Sequence, residues 1–380
     1  MKVTIAIDSF KGSLSSRMAE AAASEGVLSV YPDATCKLFP IADGGEGTVA
    51  ALAEALGAVM VECEVSDPRM RRIRAEYGYV SETATALIEM SAAAGLPLLT
   101  PELRNPMYTT TYGVGEMIRD AIARGARHFI IGIGGSATND GGAGMLMALG
   151  FGLLDSSGEP IRLGAIGLKD LAKIDTGSVL PELRECEFLT LCDVKNPLLG
   201  PDGASHVYGG QKGADEAMRY TLDEYLSHYA RVTRVSISGA DESCPGTGAA
   251  GGLGFALLSF LGAKLVSGID EILALTGVED SIKDSDLVLT GEGKLDSQSY
   301  MGKAPVGVST LAMAHGVPCI AFAGAVTGDI TILGSLGITD AYAISPIDMP
   351  LELAMREDVA YENMKRCVEA VFMKIKNGEQ

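Results

Sequence analysis

Several short apolar segments of this 380-residue chain end in a carboxylate. IAID ends at Asp8, PIAD at Asp43 and TLCD at Asp193, and Glu292 lies in the similar segment VLTGEG. In open α/β sheets, ligands bind in the crevice beyond the carboxyl ends of the strands. Carboxylates at several such ends could bind a divalent metal or accept a proton from a substrate. This pattern is the first indication of a catalytic site.

A second candidate is the stretch GIGGSATNDGGAGM, from Gly132 to Met145, which we call the glycine loop. Glycine inside an ordered element costs roughly 0.5–1 kcal/mol relative to alanine, so its six glycines need a reason. Successive N–H groups, two hydroxyls and the N-terminus of a following helix could surround phosphate oxygens. The alternative is a structural turn in which Asn139 and Asp140 cap the next helix.

The glycine loop also fits the G-x-G-x-x-A pattern of dinucleotide-binding folds, at Gly132, Gly134 and Ala137. That pattern needs a helix to begin at the loop, whereas residues 139–142 are typical of a turn and helical spacing starts only at Met145. The G-x-G-x-x-A match nevertheless leaves a nicotinamide-dependent oxidoreductase acting on a small hydroxy acid as the alternative function. A non-catalytic binding protein for a small ligand is a further one.

The formal net charge is −19, from 30 Lys and Arg against 49 Asp and Glu. Nucleic acids and acidic membrane surfaces are bound by clustered basic residues, so neither is an expected partner. In so acidic a chain, lysines beside glycine turns are candidates for phosphate or carboxylate contacts, namely Lys11, Lys212 and Lys294. The residues alone predict an α/β enzyme that handles a small anionic ligand with a metal.

The seven cysteines are scattered and form no C-x-x-C motif, which argues against a disulfide framework or a zinc site. The N-terminal MKVTIAIDSF reaches Asp8 before a signal-peptide core could form. The uncharged run 244–263 is interpreted as a buried helix after a glycine loop rather than as a membrane span. We therefore expect a cytoplasmic protein without a membrane partner.

The order of apolar segments predicts two α/β domains. A β-α-β-α opening is typical of a Rossmann-like, mostly parallel sheet. The pattern changes at Asp67-Pro68, where antiparallel strands are expected, and returns near Lys283. We predict a first domain from residues 1–66 and 285–380, with a second, mixed α/β domain of residues 67–284 inserted in it.

Seven blocks of the sequence resemble the class I glycerate kinase family in the correct order over almost the full length. They are IAIDSFKGSLS (5–15), PIADGGEGT (40–48), GIGGSATNDGGAGM (132–145), CDVKNPLLGPDGAS (192–205), QKGA (211–214), GTGAAGGLG (246–254) and LTGEGKLDSQSYMGKAP (289–305). Ile7, Gly12 and Gly210 depart from the family pattern. None of these changes removes a charged or hydroxyl group.

The resemblance implies ATP-dependent phosphorylation of D-glycerate, for this class at the 2-hydroxyl, with Mg²⁺. It also implies an active site in the cleft between the two domains, and a homodimer is a possible assembly. Phosphoryl transfer depends mainly on positioning and charge neutralisation, which glycine loops, carboxylates and lysines can supply.

Roles for individual residues follow as predictions. Nucleotide contacts are expected at Gly134, Gly135, Ser136, Thr138, Asn139 and Asp140. Catalytic roles are expected for Asp193, Asp8 and Lys11. Substrate contacts are expected at Asp43, Gly44, Gly45 and Lys294, and metal contacts at Asp43, Asp193 and Glu292.

Overall fold

The computed structural model describes residues 1–42, 45, 47–296, 303–327 and 330–378. Its strands are β1 (Lys2–Ile7), β2 (Thr35–Leu38), β3 (Val59–Ser66), β4 (Arg72–Val80), β5 (Thr85–Glu89), β6 (His128–Gly132), β7 (Gly152–Leu154), β8 (Lys173–Asp175), β9 (Glu187–Leu191), β10 (Lys264–Val266), β11 (Leu287–Leu295), β12 (Cys319–Val326) and β13 (Ile338–Ala343).

The α-helices are α1 (Ser16–Val30), α2 (Thr48–Leu56), α3 (Ser91–Ala94), α4 (Tyr112–Ala123), α5 (Ala143–Ala148), α6 (Ala165–Leu168), α7 (Ala204–Tyr208), α8 (Glu216–Ser236), α9 (Ala249–Leu261), α10 (Gly268–Thr276), α11 (Val278–Lys283), α12 (Ala304–Ala314), α13 (Ile330–Ser335), α14 (Leu351–Ala354) and α15 (Glu357–Asn377). Short 3₁₀ turns occupy Leu96–Leu98, Pro101–Leu103, Pro181–Glu185 and Gly210–Lys212.

The chain divides into two compact units. The first unit comprises Met1–Asp43, Ala50–Leu56 and Ile269–Gln380, and the second comprises Gly44–Val49 and Gly57–Gly268. The sequence-based boundaries lie elsewhere, after residues 66 and 284, so that β3 falls in the second unit and α11 in the first. The insertion of one domain in the other, with an active site between them, stays a prediction.

The first unit has a five-stranded sheet in the order β13-β12-β11-β1-β2, with every neighbouring pair parallel. The inner strand β1 is apolar and almost wholly buried, and α1 and α15 pack against its sheet through one apolar cluster. Ser15 caps the N-terminus of α1, because its hydroxyl accepts a hydrogen bond from the backbone N–H of Met18. The predicted mostly parallel sheet is confirmed for this unit.

The second unit has a six-stranded sheet in the order β10-β9-β6-β5-β4-β3. The pairs β3–β4 and β4–β5 are antiparallel, while β5, β6, β9 and β10 run parallel to one another. Residues of α4, α5 and α9 contribute to its main apolar core. The mixed sheet confirms the predicted α/β fold class and the antiparallel strands after residue 66.

The apolar run 244–263 forms α9 and the turn before it. The buried side chains of Leu253, Phe255 and Leu257 place this helix in the core, as the sequence analysis predicted. Within the described ranges, no helix combines the length and the apolar composition needed to cross a membrane.

Candidate active site

The glycine loop and Asp193 leave neighbouring strands of the second unit at the same edge of its sheet. β6 and β9 are parallel, and their last paired residues are Gly132 and Leu191. The glycine loop continues from Gly132, and Asp193 lies two residues after Leu191. The structure thus brings together two elements that the sequence places about sixty residues apart, at the end of a sheet where ligands bind in such folds.

The tip of the glycine loop presents backbone rather than side chains. Gly135 is exposed and has a φ of +73°, a left-handed conformation that disfavours any side chain. Its carbonyl accepts a hydrogen bond from the N–H of Leu96 at 2.9 Å, and the N–H of Ala137 donates to the Ala94 carbonyl at 2.9 Å. These two bonds fix the tip against the last residue of α3 and the segment that follows it.

Three successive N–H groups at this tip are available to a ligand. Within the part of the chain that the structure describes, the backbone N–H groups of Gly134, Gly135 and Ser136 donate to no protein acceptor. Successive N–H groups around a left-handed glycine form a concavity that binds anions. The arrangement therefore favours an anion site at the tip, which is one of the two interpretations of the glycine loop that the sequence left open.

The rear of the glycine loop has a different character. The side chains of Thr138, Asn139 and Asp140 are fully buried. The Asp140 carboxylate accepts hydrogen bonds from five groups: the N–H and hydroxyl of Thr111, the hydroxyl of Thr110, and the N–H groups of Gly142 and Gly144, at 2.8–3.2 Å. Burial raises the pKa of Asp140, and the hydrogen bonds from Thr111 oppose that shift.

This geometry gives Asp140 a structural role, because its carboxylate is enclosed by the protein's own donors. The prediction that Asp140 contacts the nucleotide is not supported, and the capping alternative describes this residue better. Asn139 is likewise turned inward, and its amide donates to the Ser205 hydroxyl at 3.0 Å. The glycines of the rear serve packing, since a Cβ on Gly142 would lie 2.4 Å from the Cβ of Ala256.

Asp193 combines a structural contact with a position at the strand ends. It is half-buried, and its Oδ1 accepts hydrogen bonds from the N–H of Gly268 at 2.7 Å and the Ser267 hydroxyl at 3.3 Å. Gly268 is the first residue of α10, so Asp193 satisfies a free N–H of that helix. Its place beside the glycine loop keeps it a candidate base or metal ligand.

The first unit carries its own carboxylates at the corresponding edge of its sheet. Asp8 follows β1 and donates its N–H to the Gly291 carbonyl at 2.9 Å, so that Asp8 and Glu292 follow paired residues of adjacent strands. Both carboxylate residues are buried. A Cβ on Gly291 would lie 2.0 Å from the Phe322 carbonyl oxygen, so glycine is needed for the strands to approach at this edge.

Lysines surround this edge. Lys11 is exposed, and Lys294 forms an ion pair with Asp296 at 3.2 Å. Lys303, which the sequence reading did not assign, lies 3.9 Å from the Glu292 carboxylate. We call Asp8, Lys11, Glu292 and Lys294 the first-unit edge. Four of the predicted site residues therefore gather at one sheet edge of the first unit.

A buried carboxylic acid supports the first-unit edge from below. Glu20 of α1 is fully buried, and its Oε1 accepts a hydrogen bond from the N–H of Ile7, the residue before Asp8, at 3.3 Å. Its Oε2 has no partner among the residues that the structure describes. Burial raises the pKa of Glu20 well above its usual value, and the hydrogen bond from Ile7 opposes that shift. No sequence motif identified this residue.

Three of the predicted substrate contacts, Asp43, Gly44 and Gly45, are consecutive in the chain. Asp43 and Gly44 lie outside the described residues, while Gly45 belongs to the second unit. Within the described ranges, no three His, Cys, Asp or Glu side chains cluster so that they could hold a metal ion.

The sequence analysis did not predict the burial of Lys212 beneath the glycine loop, because a lysine beside glycines in an acidic chain suggests an exposed contact.

Comparison with known proteins gives a consistent result. The model of the glycerate kinase family matches residues 3–376. A glycerate kinase of Halalkalibacterium halodurans is 43% identical over 370 residues, 97% of either chain. A glycerate 2-kinase of Escherichia coli K12 is 44% identical over 366 residues, 96% of either chain. A crystal structure from Salmonella typhimurium LT2, assigned as glycerate kinase 2, has a TM-score of 0.86 at 42% identity and covers 100% of this chain and 99% of its own.

These matches confirm the resemblance seen in the seven sequence blocks and give no support to the nicotinamide-dependent alternative. The G-x-G-x-x-A match is coincidental in structure as well, because α5 begins only at Ala143, after the buried turn at Asp140. The family match covers both units, including the glycine loop and the first-unit edge. The chain therefore belongs to the glycerate kinase family.

Proposed function

We propose that this protein transfers the terminal phosphoryl group of ATP to the 2-hydroxyl of D-glycerate, forming 2-phosphoglycerate and ADP. The observation that carries the proposal is the set of three available N–H groups at Gly134, Gly135 and Ser136, at the end of a parallel strand. Such a backbone site suits phosphate oxygens. The names of the relatives supply the acceptor, and the described residues supply the anion-binding chemistry.

The overall charge of the chain explains why local positive groups are needed. At a formal net charge of −19, the protein repels both ATP and glycerate. N–H groups at the loop tip, together with Lys11 and Lys294 at the first-unit edge, would offset this repulsion where the ligands bind. Phosphoryl transfer requires little covalent participation by the protein, so positioning and charge neutralisation carry most of the catalysis.

Asp193 is our candidate for the base that accepts the hydroxyl proton of glycerate. It follows β9, the neighbour of the strand that leads into the glycine loop, and its Oδ1 is oriented by the Gly268 N–H. An oriented carboxylate near the transferred group can accept the proton as the phosphoryl group arrives. Asp43, Gly44, Gly45 and Lys294 stay predictions for glycerate contacts.

Mg²⁺ fits the donor set of the first-unit edge. Mg²⁺ prefers oxygen ligands and is often held by one or two carboxylates together with substrate phosphates. Asp8 and Glu292 follow paired residues of β1 and β11 and are the described carboxylates that best meet this requirement. The metal would neutralise charge on the phosphates. Asp43 and Asp193 stay alternative ligands.

The cellular setting stays an expectation. The seven cysteines are all free, which agrees with a reducing compartment such as the cytoplasm. A homodimer also stays a prediction.

Phosphorus NMR of the reaction mixture tests the proposed function. With ATP, Mg²⁺ and D-glycerate, the purified protein should yield ADP and a single phosphomonoester with the coupling pattern of 2-phosphoglycerate. A mixture without glycerate is the control and should show no ADP. The 3-phosphate as product would overturn the assigned hydroxyl, and ADP release that does not need glycerate would overturn the reaction.

A further inference from the structure

Lys212 is a fully buried lysine directly beneath the glycine loop. Its side chain is among the largest fully buried ones of the protein, and its Nζ donates a hydrogen bond to the Thr138 carbonyl at 2.7 Å. It is the last residue of the 3₁₀ turn Gly210–Lys212, and a Cβ on the following Gly213 would lie 2.4 Å from the Arg104 carbonyl oxygen. The turn is thus held in place, and the lysine reaches the loop from it.

Burying an ammonium group is unfavourable unless hydrogen bonds and an opposite charge compensate. Burial lowers the pKa of Lys212 to about 7, and the Asp140 carboxylate opposes that shift. Asp140 is the buried acid that holds the rear of the same loop. Lys212 and Asp140 therefore act on one short segment, the first through a carbonyl and the second through N–H and hydroxyl groups.

The Thr138 carbonyl is also enclosed on another side. A Cβ on Gly251 would lie 2.0 Å from this oxygen, and the Gly251 carbonyl accepts a hydrogen bond from the Gly141 N–H at 3.0 Å. The preceding residue, Ala250, has a φ of +54°, a conformation that costs an alanine roughly 1–2 kcal/mol. This unfavourable conformation lies in the turn that contacts the glycine loop, which indicates that the backbone of the loop has to be held in one position.

We propose that Lys212 is a positioning residue, which holds the Thr138 carbonyl and thereby sets the backbone of the loop tip for nucleotide phosphate. The inference rests on the proposed function, because it assigns the tip to phosphate. Lys212 itself is buried behind Thr138 and is not required to contact the substrate. Its effect passes through the backbone between Thr138 and the N–H groups of Gly134, Gly135 and Ser136.

A merely structural lysine and a positioning lysine have different consequences. The structural role predicts a less stable protein with native kinetics. The positioning role predicts a higher KM for ATP, a native KM for D-glycerate, and faster hydrogen–deuterium exchange confined to residues 132–145. Both roles predict some loss of stability, so the kinetic split and the location of the exchange separate them.

The experiment compares three variants of the full chain. Lys212→Met keeps the length of the side chain but removes its charge and donor, whereas Lys212→Gln keeps a donor without the charge. Lys169→Met makes the same change at an exposed lysine of the second unit that pairs with Asp170. We expect Lys212→Met to raise the KM for ATP about tenfold, as for one lost hydrogen bond to a charged group. Lys212→Gln should restore part of it, and Lys169→Met should match the native protein.

Each outcome decides the matter. Native KM and native loop exchange in Lys212→Met would overturn the proposal, and so would failure of both Lys212 variants to fold. If the native protein does not use ATP but Lys212→Met still speeds exchange of the glycine loop, the nucleotide assignment and the proposed function fail while the positioning of the loop stands. If ATP and glycerate react as proposed but Lys212→Met behaves as Lys169→Met, only the role of Lys212 fails.

Discussion

Each unit holds a buried carboxylic acid beneath its candidate-site segment, and the two acids differ in how well they are satisfied. Asp140 accepts hydrogen bonds from five groups and has Lys212 as a neighbouring cation. The Oε1 of Glu20 accepts a weak hydrogen bond from the Ile7 N–H at 3.3 Å, and its Oε2 has no partner among the described residues. Burial raises the pKa of both acids.

The difference corresponds to two ways of presenting a ligand site. The glycine loop offers backbone N–H groups, so its backbone must be fixed, and its polar side chains turn inward to fix it. The first-unit edge offers carboxylates and lysines, which are positioned mainly by the ends of the strands that carry them. Removing an inward side chain from the loop should therefore cost stability, whereas changes at the strand ends should act chiefly on catalysis.

The largest expected effect is that of Asp140→Ala on stability. The change leaves Lys212 buried without its neighbouring charge and leaves five donors unpaired, so we expect a loss of about 3–5 kcal/mol in the free energy of unfolding. Denaturant unfolding measures it. Asp155→Ala is the control, because Asp155 accepts similar backbone bonds in a surface turn and should cost less. Equal losses of stability in the two variants would show that the inward carboxylate of the glycine loop stabilises the fold no more than a surface carboxylate does.

Next in size is the effect of Asp193→Asn on turnover. The amide oxygen can still accept the Gly268 N–H, so the fold should be kept, while the charge needed by a base or metal ligand is lost. We expect kcat to fall by at least about 10²-fold. Asp241→Asn, at a surface turn where Asp241 accepts the Ser243 N–H, should leave kcat unchanged. Near-native turnover of Asp193→Asn would show that this carboxylate only caps α10.

Gly135→Ala should have a smaller effect, mainly on ATP binding. Its φ of +73° is unfavourable for alanine, so the tip should shift and lose an N–H contact to phosphate, raising the KM for ATP about tenfold. Gly262→Ala is a matched control, because Gly262 has a φ of +64° and open space around its Cβ position. Steady-state kinetics and thermal melting separate the two. An unchanged ATP KM in a less stable Gly135→Ala protein would place the phosphate site elsewhere.

The smallest effect should come from Glu20→Gln and should depend on pH. Because the pKa of Glu20 is raised on folding, the folded chain binds more protons than the unfolded chain above the ordinary value of 4.5. The native protein should therefore lose stability relative to Glu20→Gln as pH rises from 4.5 through the raised pKa. Urea unfolding of both proteins at several pH values measures this difference. A stability difference between the two proteins that stays constant with pH would mean that Glu20 remains ionised. Asp140, which accepts hydrogen bonds from five groups, could remain ionised in this way.

The sequence predicted the parts of this architecture that depend on local pattern. The apolar strands that end at Asp8 and Asp193 and the turn before α5 follow from short-range periodicity and glycine placement, and the parallel sheet follows from the β-α-β-α order of the elements. The inward orientation of Asp140 was not predictable, because its partners Thr110 and Thr111 lie about thirty residues away in the chain. A polar residue in a glycine turn can face a ligand or the core, and only tertiary contacts decide.

The burial of Lys212 was missed for a related physical reason. Lysines are almost always exposed, so a lysine next to glycines in an acidic chain indicates a ligand contact rather than a core position. Glu20 is one of the buried residues of α1, but it belongs to no motif, and a lone carboxylic acid in a helix is ordinarily exposed. The hydrogen bond that Glu20 accepts from the Ile7 N–H requires α1 to pack on β1, which the sequence does not show.

The pairing of β1 with β11 has a consequence for how the chain acquires its structure during synthesis. Val3 pairs with Leu287 and Ile7 with Gly291, so each residue of β1 is synthesised 284 residues before its partner in β11, one of the two neighbours of β1 in the first sheet. At roughly 5–20 residues per second, the ribosome takes tens of seconds to cover that distance. The second unit is complete once Gly268 has emerged, and it can fold while β1 still lacks β11. The second unit can thus fold before the first, although the first unit begins earlier in the chain, and β1 stays without one of its two neighbours throughout that interval.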